Sequence, residues 1–305
     1  MRLGTCSLAL LLAACLVTAA AEEPKPPMQV ILLGTGYPRP DPERAGPATA
    51  LVVGEKLFIV DAGRGVVLRL AAAELPAACG VAGSKCLRAV FLTHLHSDHT
   101  SGLPDLFTTS WIFGRHQPLE LYGPKGTKEM AAALEKFFAA DIRIRRDLTE
   151  MHPGAGTTLN AHTLKEGVVY EDSDVRITAF AVDHRPVVPV FGYRFDSGGK
   201  SVVISGDTRP SENLIKHAKG ADILIHEAYL PEHFDRVDTP EVAARLKAYH
   251  SSAEEAGQVA AQAGVKLLVL THLVPGETES ERVFLERAGK HFKGKIVVGR
   301  DLLRF

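Results

Sequence analysis

Residues 93–102 read THLHSDHTSG and crowd His94, His96, Asp98 and His99 into one short stretch. Imidazoles and carboxylates at this density make a poor core, yet the preceding LRAVFLT is apolar enough to be a buried strand. Three further groups share that context: His184 follows AFAVD, Asp207 follows VVISG and His272 follows LLVLT. Side chains at the ends of strands can converge on one rim of a sheet. Taken singly, each histidine fits an ordinary half-buried residue better; the context common to all of them favours a shared site. His116, His152, His162, His217, His233 and His291 lack that context. Neutral imidazoles and carboxylates suit zinc, with manganese or iron(II) as the other candidates. Seven groups exceed the needs of one tetrahedral ion and match two ions sharing a carboxylate. Asp98, between His96 and His99, lets one loop serve both.

The elements that must position these groups are legible in outline. MQVILLG reads as a strand, and the Gly- and Pro-rich residues 34–49 as a loop. ALVV and KLFIVDAG are strands around a turn at Gly54 and Glu55, and GVVLRLAAAEL has helical spacing. After the histidine cluster, GLPDLFTTSWIFG reads as a helix with Pro104 in its first turn. PLELYGP is a strand and TKEMAAALEKFFAA an amphipathic helix; residues 141–172 carry no clear period. Three strands follow, in VRITAFAVDH, FGYRFDS and KSVVISGD, and then ADILIHEA. SAEEAGQVAAQAG and ESERVFLERAGKHF are helices, KLLVLTH a strand and KIVVGRD a closing strand. No composition break divides residues 28–305, so the pattern predicts one α/β domain of layered sheets covered by helices.

The chain has 305 residues, 46% hydrophobic and 23% charged, and its 35 basic and 36 acidic residues give a net charge of −1. A protein that relies on phosphate contacts to hold nucleic acid usually carries a basic surplus, and none exists overall. The first residues have the anatomy of an export signal: Arg2, an apolar run from Leu8 to Val17, then Ala19-Ala20-Ala21 before Glu22. Cleavage after Ala21 leaves residues 22–27 as a linker and a periplasmic or secreted protein. LAAC, at residues 12–15, offers the minority reading of a lipoprotein anchored at Cys15. No segment is apolar enough for a stable membrane span. In an oxidising compartment Cys79 and Cys86, seven positions apart in ACGVAGSKC, are expected to form a disulfide.

HLHSDH resembles the H-x-H-x-D-H motif of the metallo-β-lactamase superfamily. LGTGYPRP with Arg44, VDAGRG, DHRPVVPVFGYRF, VVISGDTRP, LIHEAY, HSSAEEAGQVA and LVLTHL are similar, in the same order, to motifs of its ribonuclease Z branch. The similarity runs from about residue 29 to the end. It implies a four-layer αβ/βα sandwich with two Zn²⁺ at the rim between the sheets. By that resemblance His94, His96 and His184 bind one ion, Asp98, His99 and His272 the second, and Asp207 bridges them. Asp61 matches an aspartate that steadies the ligand loop from behind. His250 matches a histidine that faces the reacting group without binding metal, and Glu227 is either its orienting partner or an ordinary strand-end acid.

The activity so implied is phosphodiester hydrolysis by a hydroxide held between two cations, with Asp98, His250 and Glu227 as the catalytic set. The bridging aspartate favours phosphoester chemistry over β-lactam hydrolysis. One departure bears on the substrate. The long arm that grips transfer RNA in bacterial ribonuclease Z lies between the motifs of His184 and Asp207, and residues 185–206 are too few to hold it. A small-molecule phosphoester is therefore expected ahead of RNA. The alternatives are an exported arylsulfatase-type, lactone or β-lactam hydrolase on the same metals, or a binding protein that keeps the fold; a homodimer stays open.

Overall fold

The computed structural model describes residues 26–237, 239–277 and 280–305. The leader, with the alternative anchor at Cys15, and most of the linker lie outside the described residues. The first strand begins at Met28.

Two sheets face each other. The first runs β1 (Met28–Gly34), β2 (Ala48–Val53), β3 (Lys56–Val60), β4 (Leu87–Phe91), β5 (Leu119–Gly123) and β6 (Leu159–Thr163), paired in that order. The second contains β7 (Gly167–Glu171), β8 (Arg176–His184), β9 (Val187–Ser197), β10 (Lys200–Ile204), β11 (Ile223–Tyr229), β12 (Leu267–Val274) and β13 (Lys295–Val298), in the spatial order β13-β12-β11-β10-β9-β8-β7. Strands β3 to β6 pair in parallel, as do β10 to β13. Helices α1 (Val66–Ala72), α2 (Ser97–Thr100), α3 (Leu103–Ile112), α4 (Thr127–Phe137) and α5 (Ala139–Arg143) belong to the first half. Helices α6 (Glu212–Ala218), α7 (Pro231–Val237), α8 (Pro240–Tyr249), α9 (Ala253–Ala263) and α10 (Glu281–Ala288) belong to the second.

The result is the four-layer αβ/βα sandwich. Phe58, Phe91, Phe195, Val202, Ile225 and Val269 form the core between the sheets. Leu70, Leu103, Phe107 and Trp111 pack the first helical layer onto its sheet. Val259, Ala260 and Phe284 do so on the other side, against Leu224 and Leu268. Central strands therefore have both faces covered. Every residue of β2 and β11 is buried, and period-two alternation disappears there. The C-terminal tail closes an open edge: Val30 and Leu32 donate to the carbonyls of Phe305 and Leu303.

Several elements are absent from the sequence reading. Residues 141–172 hold β6 and β7, edge strands with half-exposed, polar faces. Helices α6, α7 and α8 fill stretches that show no apolar period. Two of them carry start signals nonetheless. Ser211 and Thr239 each accept a hydrogen bond from the backbone of the first turn, and Pro240 follows Thr239. Cys79 and Cys86 are joined by a disulfide that closes the loop between α1 and β4.

Three loops meet under the histidine cluster. The backbone of Ala62 accepts from Gly102 and donates to His99, while Gly63 donates to Pro47. A Cβ on Gly63 would lie 2.6 Å from both the Asp98 carbonyl oxygen and the Pro47 nitrogen. Only glycine allows this approach, which accounts for the VDAGRG turn. Gly63→Ala should destabilise the metal-free protein by about 2–3 kcal/mol in chemical denaturation. An unchanged denaturation midpoint would mean that the loops have room to part.

Candidate metal centre

The ligand candidates stand where strands stop, except His272, which the sequence placed at a strand end and which instead lies within a strand that runs on past it. Strand β4 delivers His94, and α2 turns immediately to bring in Asp98 and His99. His184 is the last residue of β8. Asp207 follows β10 across Gly206, whose φ of 63° turns the chain at the sheet rim. His272 lies inside β12, where the ladder skips it: Glu227 pairs with Thr271 and Ala228 with Leu273. It is a bulge residue with a φ of 46°, rare for a side chain of this size. The bulge re-aims the imidazole into the cluster.

The ligand atoms of His94, His96, His184 and Asp207 all lie within 4.8 Å of one another, as do those of Asp98, His99 and His272. Asp207 reaches both groups. Its Oδ1 is 3.4 Å from His99 Nε2. Its Oδ2 is 3.5 Å from His272 Nε2 and 3.8 Å from His94 Nε2. Asp98 Oδ2 sits 3.2 Å from His272 Nε2 and 3.5 Å from His99 Nε2. His96 is the exposed member; the others are buried.

Support from behind fixes which nitrogen faces inward. Asp61, at φ 60°, ends β3 and accepts from the Thr93 amide at 2.8 Å, the Thr93 hydroxyl at 2.9 Å and His99 Nδ1 at 2.8 Å. Thr93 Oγ1 in turn meets His94 Nδ1 at 2.9 Å. His184 Nδ1 donates to the Tyr249 carbonyl at 2.9 Å. The Nε2 atoms of His99 and His184 are left buried without a hydrogen-bond partner. A buried polar atom without a partner is costly, and here each orphan belongs to one of the two donor groups. That donor set, imidazole nitrogen with carboxylate oxygen, fits zinc or a similar divalent ion.

Burial lowers His94 and His96 and brings His184 to about 4, so these imidazoles are neutral and ready to ligate near pH 7. Burial would also lower His99 and raise Asp207. The Asp207 and Asp61 carboxylates nevertheless hold His99 well above its usual range, and His272, His99 and His94 hold Asp207 well below its own.

Beside the ligands, His250 Nδ1 lies 2.7 Å from Glu227 Oε2, and Glu227 Oε1 accepts from the Thr208 amide at 2.5 Å. Both Glu227 oxygens are thus engaged, so of its two sequence readings the geometry matches the orienting one. Burial first, then Asp207, push Glu227 up, and burial brings His250 to about 4. His250 lines, with His96, Asp98, Asp207 and His272, a pocket of about 750 Å³. The far wall of that pocket comes from the loop after β1 and from α7 and α8, which sequence reasoning missed.

Residues 57–273 match the family described as the beta-lactamase superfamily domain. A ribonuclease Z from Mycobacterium bovis is 41% identical over 288 residues, covering 91% of this chain and 97% of its own. The chain belongs to the ribonuclease Z family of the beta-lactamase superfamily. Among solved structures, the short form of human tRNase Z superposes with a TM-score of 0.67 at 24% identity, covering 91% of this chain and 98% of that one. The metallo-beta-lactamase fold protein YhfI from Bacillus subtilis gives 0.66 at 23% identity, over 92% and 99%. These two likenesses show the fold. Family membership implies a divalent metal, typically zinc, and the cluster above is where this ribonuclease Z-like chain gathers the donors for it.

Asp61→Asn tests the support. Asparagine tolerates positive φ, so the change removes charge and an acceptor without a steric cost. Zinc affinity in chelator competition should fall about 10- to 100-fold with the fold intact by circular dichroism. Wild-type affinity would show that Asp61 is not what orients His99.

Proposed function

We propose that the protein is a metal-dependent phosphodiesterase of the ribonuclease Z type holding two divalent ions. His94, His96 and His184 would hold one, Asp98, His99 and His272 the other, and Asp207 both. The observation that carries the reading is Asp207: its carboxylate lies within 3.8 Å of His94 in one donor group and within 3.5 Å of His99 and His272 in the other, a span that a single-ion site does not need. Zinc, when bound, acidifies water to a nucleophile near neutral pH and draws off the negative charge that builds on phosphoryl oxygens.

The chain's own residues supply the rest. Asp98 lines the pocket and can accept a hydrogen bond from the attacking water. His250 turns Nδ1 to Glu227, so Nε2 faces the pocket; with Glu227 pushed up by burial and holding the proton between the two, Nε2 keeps its own proton and can donate it to the departing oxygen. Glu227, locked by the Thr208 amide, positions that imidazole without touching substrate.

Small phosphodiesters are proposed ahead of transfer RNA. Residues 185–206 are spent on β9 and β10, which pair closely in the second sheet and leave no length for an arm. The net charge of −1 gives little long-range attraction to a polyanion. RNA 3′ processing is the competing reading, because the relatives carry that name. Zinc-loaded protein should hydrolyse a bis-aryl phosphate with a kcat/KM well above that for precursor transfer RNA at the same moderate salt. His250→Ala should lower kcat about 10²- to 10⁴-fold with metal content unchanged, whereas His272→Ala should lose metal. Efficient cleavage of precursor transfer RNA at the 3′ position would reverse the substrate order. Loss of metal in His250→Ala would move that residue into the ligand set.

We also propose export, on the Arg2-to-Ala21 signal anatomy together with the Cys79–Cys86 bridge, since such bridges persist in oxidising compartments. Mass analysis of periplasmic material should find the bridge and an N-terminus at or near Glu22. Lipid on Cys15 would mean anchoring instead, and free thiols in a cytoplasmic fraction would end the export reading.

A further inference from the structure

We propose that the pocket selects phosphodiesters bearing one aryl or similarly flat apolar group, and that the α7–α8 hairpin sets this preference. The inference rests on the phosphodiesterase reading and adds the nature of the ester substituent.

The lining of the pocket is mixed. Metal-ligand candidates line one part; Tyr37, Phe234, Leu246, Tyr249 and Val274 supply the apolar wall, with Arg39, Ser97 and His233 as polar members of the lining. That wall is built into the fold. Phe234 packs on Tyr229 with ring centroids 5.1 Å apart, and Tyr37 meets the His233 ring edge-on at 6.3 Å, joining the loop after β1 to the hairpin. Phe234, Tyr229, Ala243 and Val274 form a small core of their own, with Tyr37 and Leu246 packed against it. An ion pair between Lys247 and Asp235 ties α8 to α7, and Thr239 caps α8.

The charges point the same way. Apart from histidines, Arg39 is the pocket's one cation among the described residues, and its Nη1 is paired with Glu277 at 3.2 Å. A longer polyanion would bring further phosphates against this wall with only Arg39, already shared with Glu277, to meet them, at a desolvation cost. A nucleobase could stack on Tyr37 or Tyr249, but Phe234, Leu246 and Val274 offer its polar edge no partner, which leaves Arg39, Ser97 and His233 as the polar groups outside the donor cluster. An aryl ring suits both wall and volume: about 750 Å³ is far more than a phosphate with a methyl ester needs and typical of sites that enclose small organic molecules.

Calorimetry on the zinc-loaded protein should compare methylphosphonate, phenylphosphonate and naphthylphosphonate. Turnover should compare p-nitrophenyl phosphate diesters that share this leaving group and differ only in the retained ester, which is methyl, phenyl or nucleoside. Phenylphosphonate should bind roughly 10- to 100-fold tighter than methylphosphonate, with a more negative heat-capacity change. Leu246 is only partly buried on α8, so two opposite substitutions serve. Leu246→Asn should compress the phenyl-to-methyl ratio, and Leu246→Trp should remove the gain for naphthyl. A wild-type ratio below about threefold, a ratio unmoved by both variants, or a nucleoside p-nitrophenyl diester turned over faster than the phenyl one overturns the proposal. Tight arylphosphonate binding without hydrolysis of any diester would support the aryl pocket and remove the phosphodiesterase reading beneath it. Diester hydrolysis with a flat phosphonate series would do the reverse.

Discussion

The carboxylate of Asp61 holds together segments on which the rest of the site depends. It ends β3, stands at positive φ, and takes three hydrogen bonds, from the amide and hydroxyl of Thr93 and from His99 Nδ1. Through Thr93 it sets the exit of β4, and through His99 it sets the start of the first helical turn after the histidine motif. Thr93 Oγ1 then passes the constraint to His94. One buried acid thus fixes the tautomer of one imidazole directly and of another through a hydroxyl, so both present Nε2 to the centre. The glycine contacts around Gly63 serve the same end, because Asp61 can reach Thr93 and His99 only if the three loops lie nearly backbone to backbone.

The site contains more polar surface than the protein satisfies by itself. His99 Nε2, His184 Nε2 and His272 Nδ1 are buried without partners, and Asp207 is surrounded by imidazoles. The orphaned Nε2 atoms that face the centre are a destabilising arrangement until a cation completes them. Metal binding and stability are coupled in such a design: part of the free energy of ligation is spent offsetting the desolvation already incurred when the strand ends converge. The central strands can carry that cost because both of their faces are covered by apolar layers.

What was legible in the sequence follows from this division. The cluster of donor side chains was legible because packing alone rarely puts titratable side chains directly after buried apolar strands. The sandwich was legible because its central strands are continuous apolar runs. The bulge at His272 was not legible: KLLVLTH reads as a strand that stops at the histidine, and only the pairing with β11 shows that the strand runs on with one residue skipped. Nor were β6, β7, α7 and α8. They sit at sheet edges or over the rim, where one face is solvated and the apolar period fades. Thr239-Pro240 was the one local signal for α8, and a capping pair without a following apolar stripe does not announce a helix. Glu227 shows the limit differently. Its role depends on His250, twenty-three positions away, and on a backbone amide, neither of which spacing reveals.

The α7–α8 hairpin, the least legible element, is also where the metal centre and the substrate wall become one object. Tyr249 closes α8, and its carbonyl accepts from His184 Nδ1 at 2.9 Å, while its side chain lines the pocket. His250 follows directly and is gripped by Glu227 from β11. The turn that ends the helix therefore orients a ligand candidate, aims an imidazole that lines the pocket, and supports the apolar wall. These three tasks share two consecutive residues, so they cannot vary independently. A change that shifts α8 to reshape the wall also moves the acceptor behind His184. Substitutions that tune substrate choice are consequently best tolerated a turn or more before Tyr249, where side chains reach the pocket but the backbone does not hold a ligand.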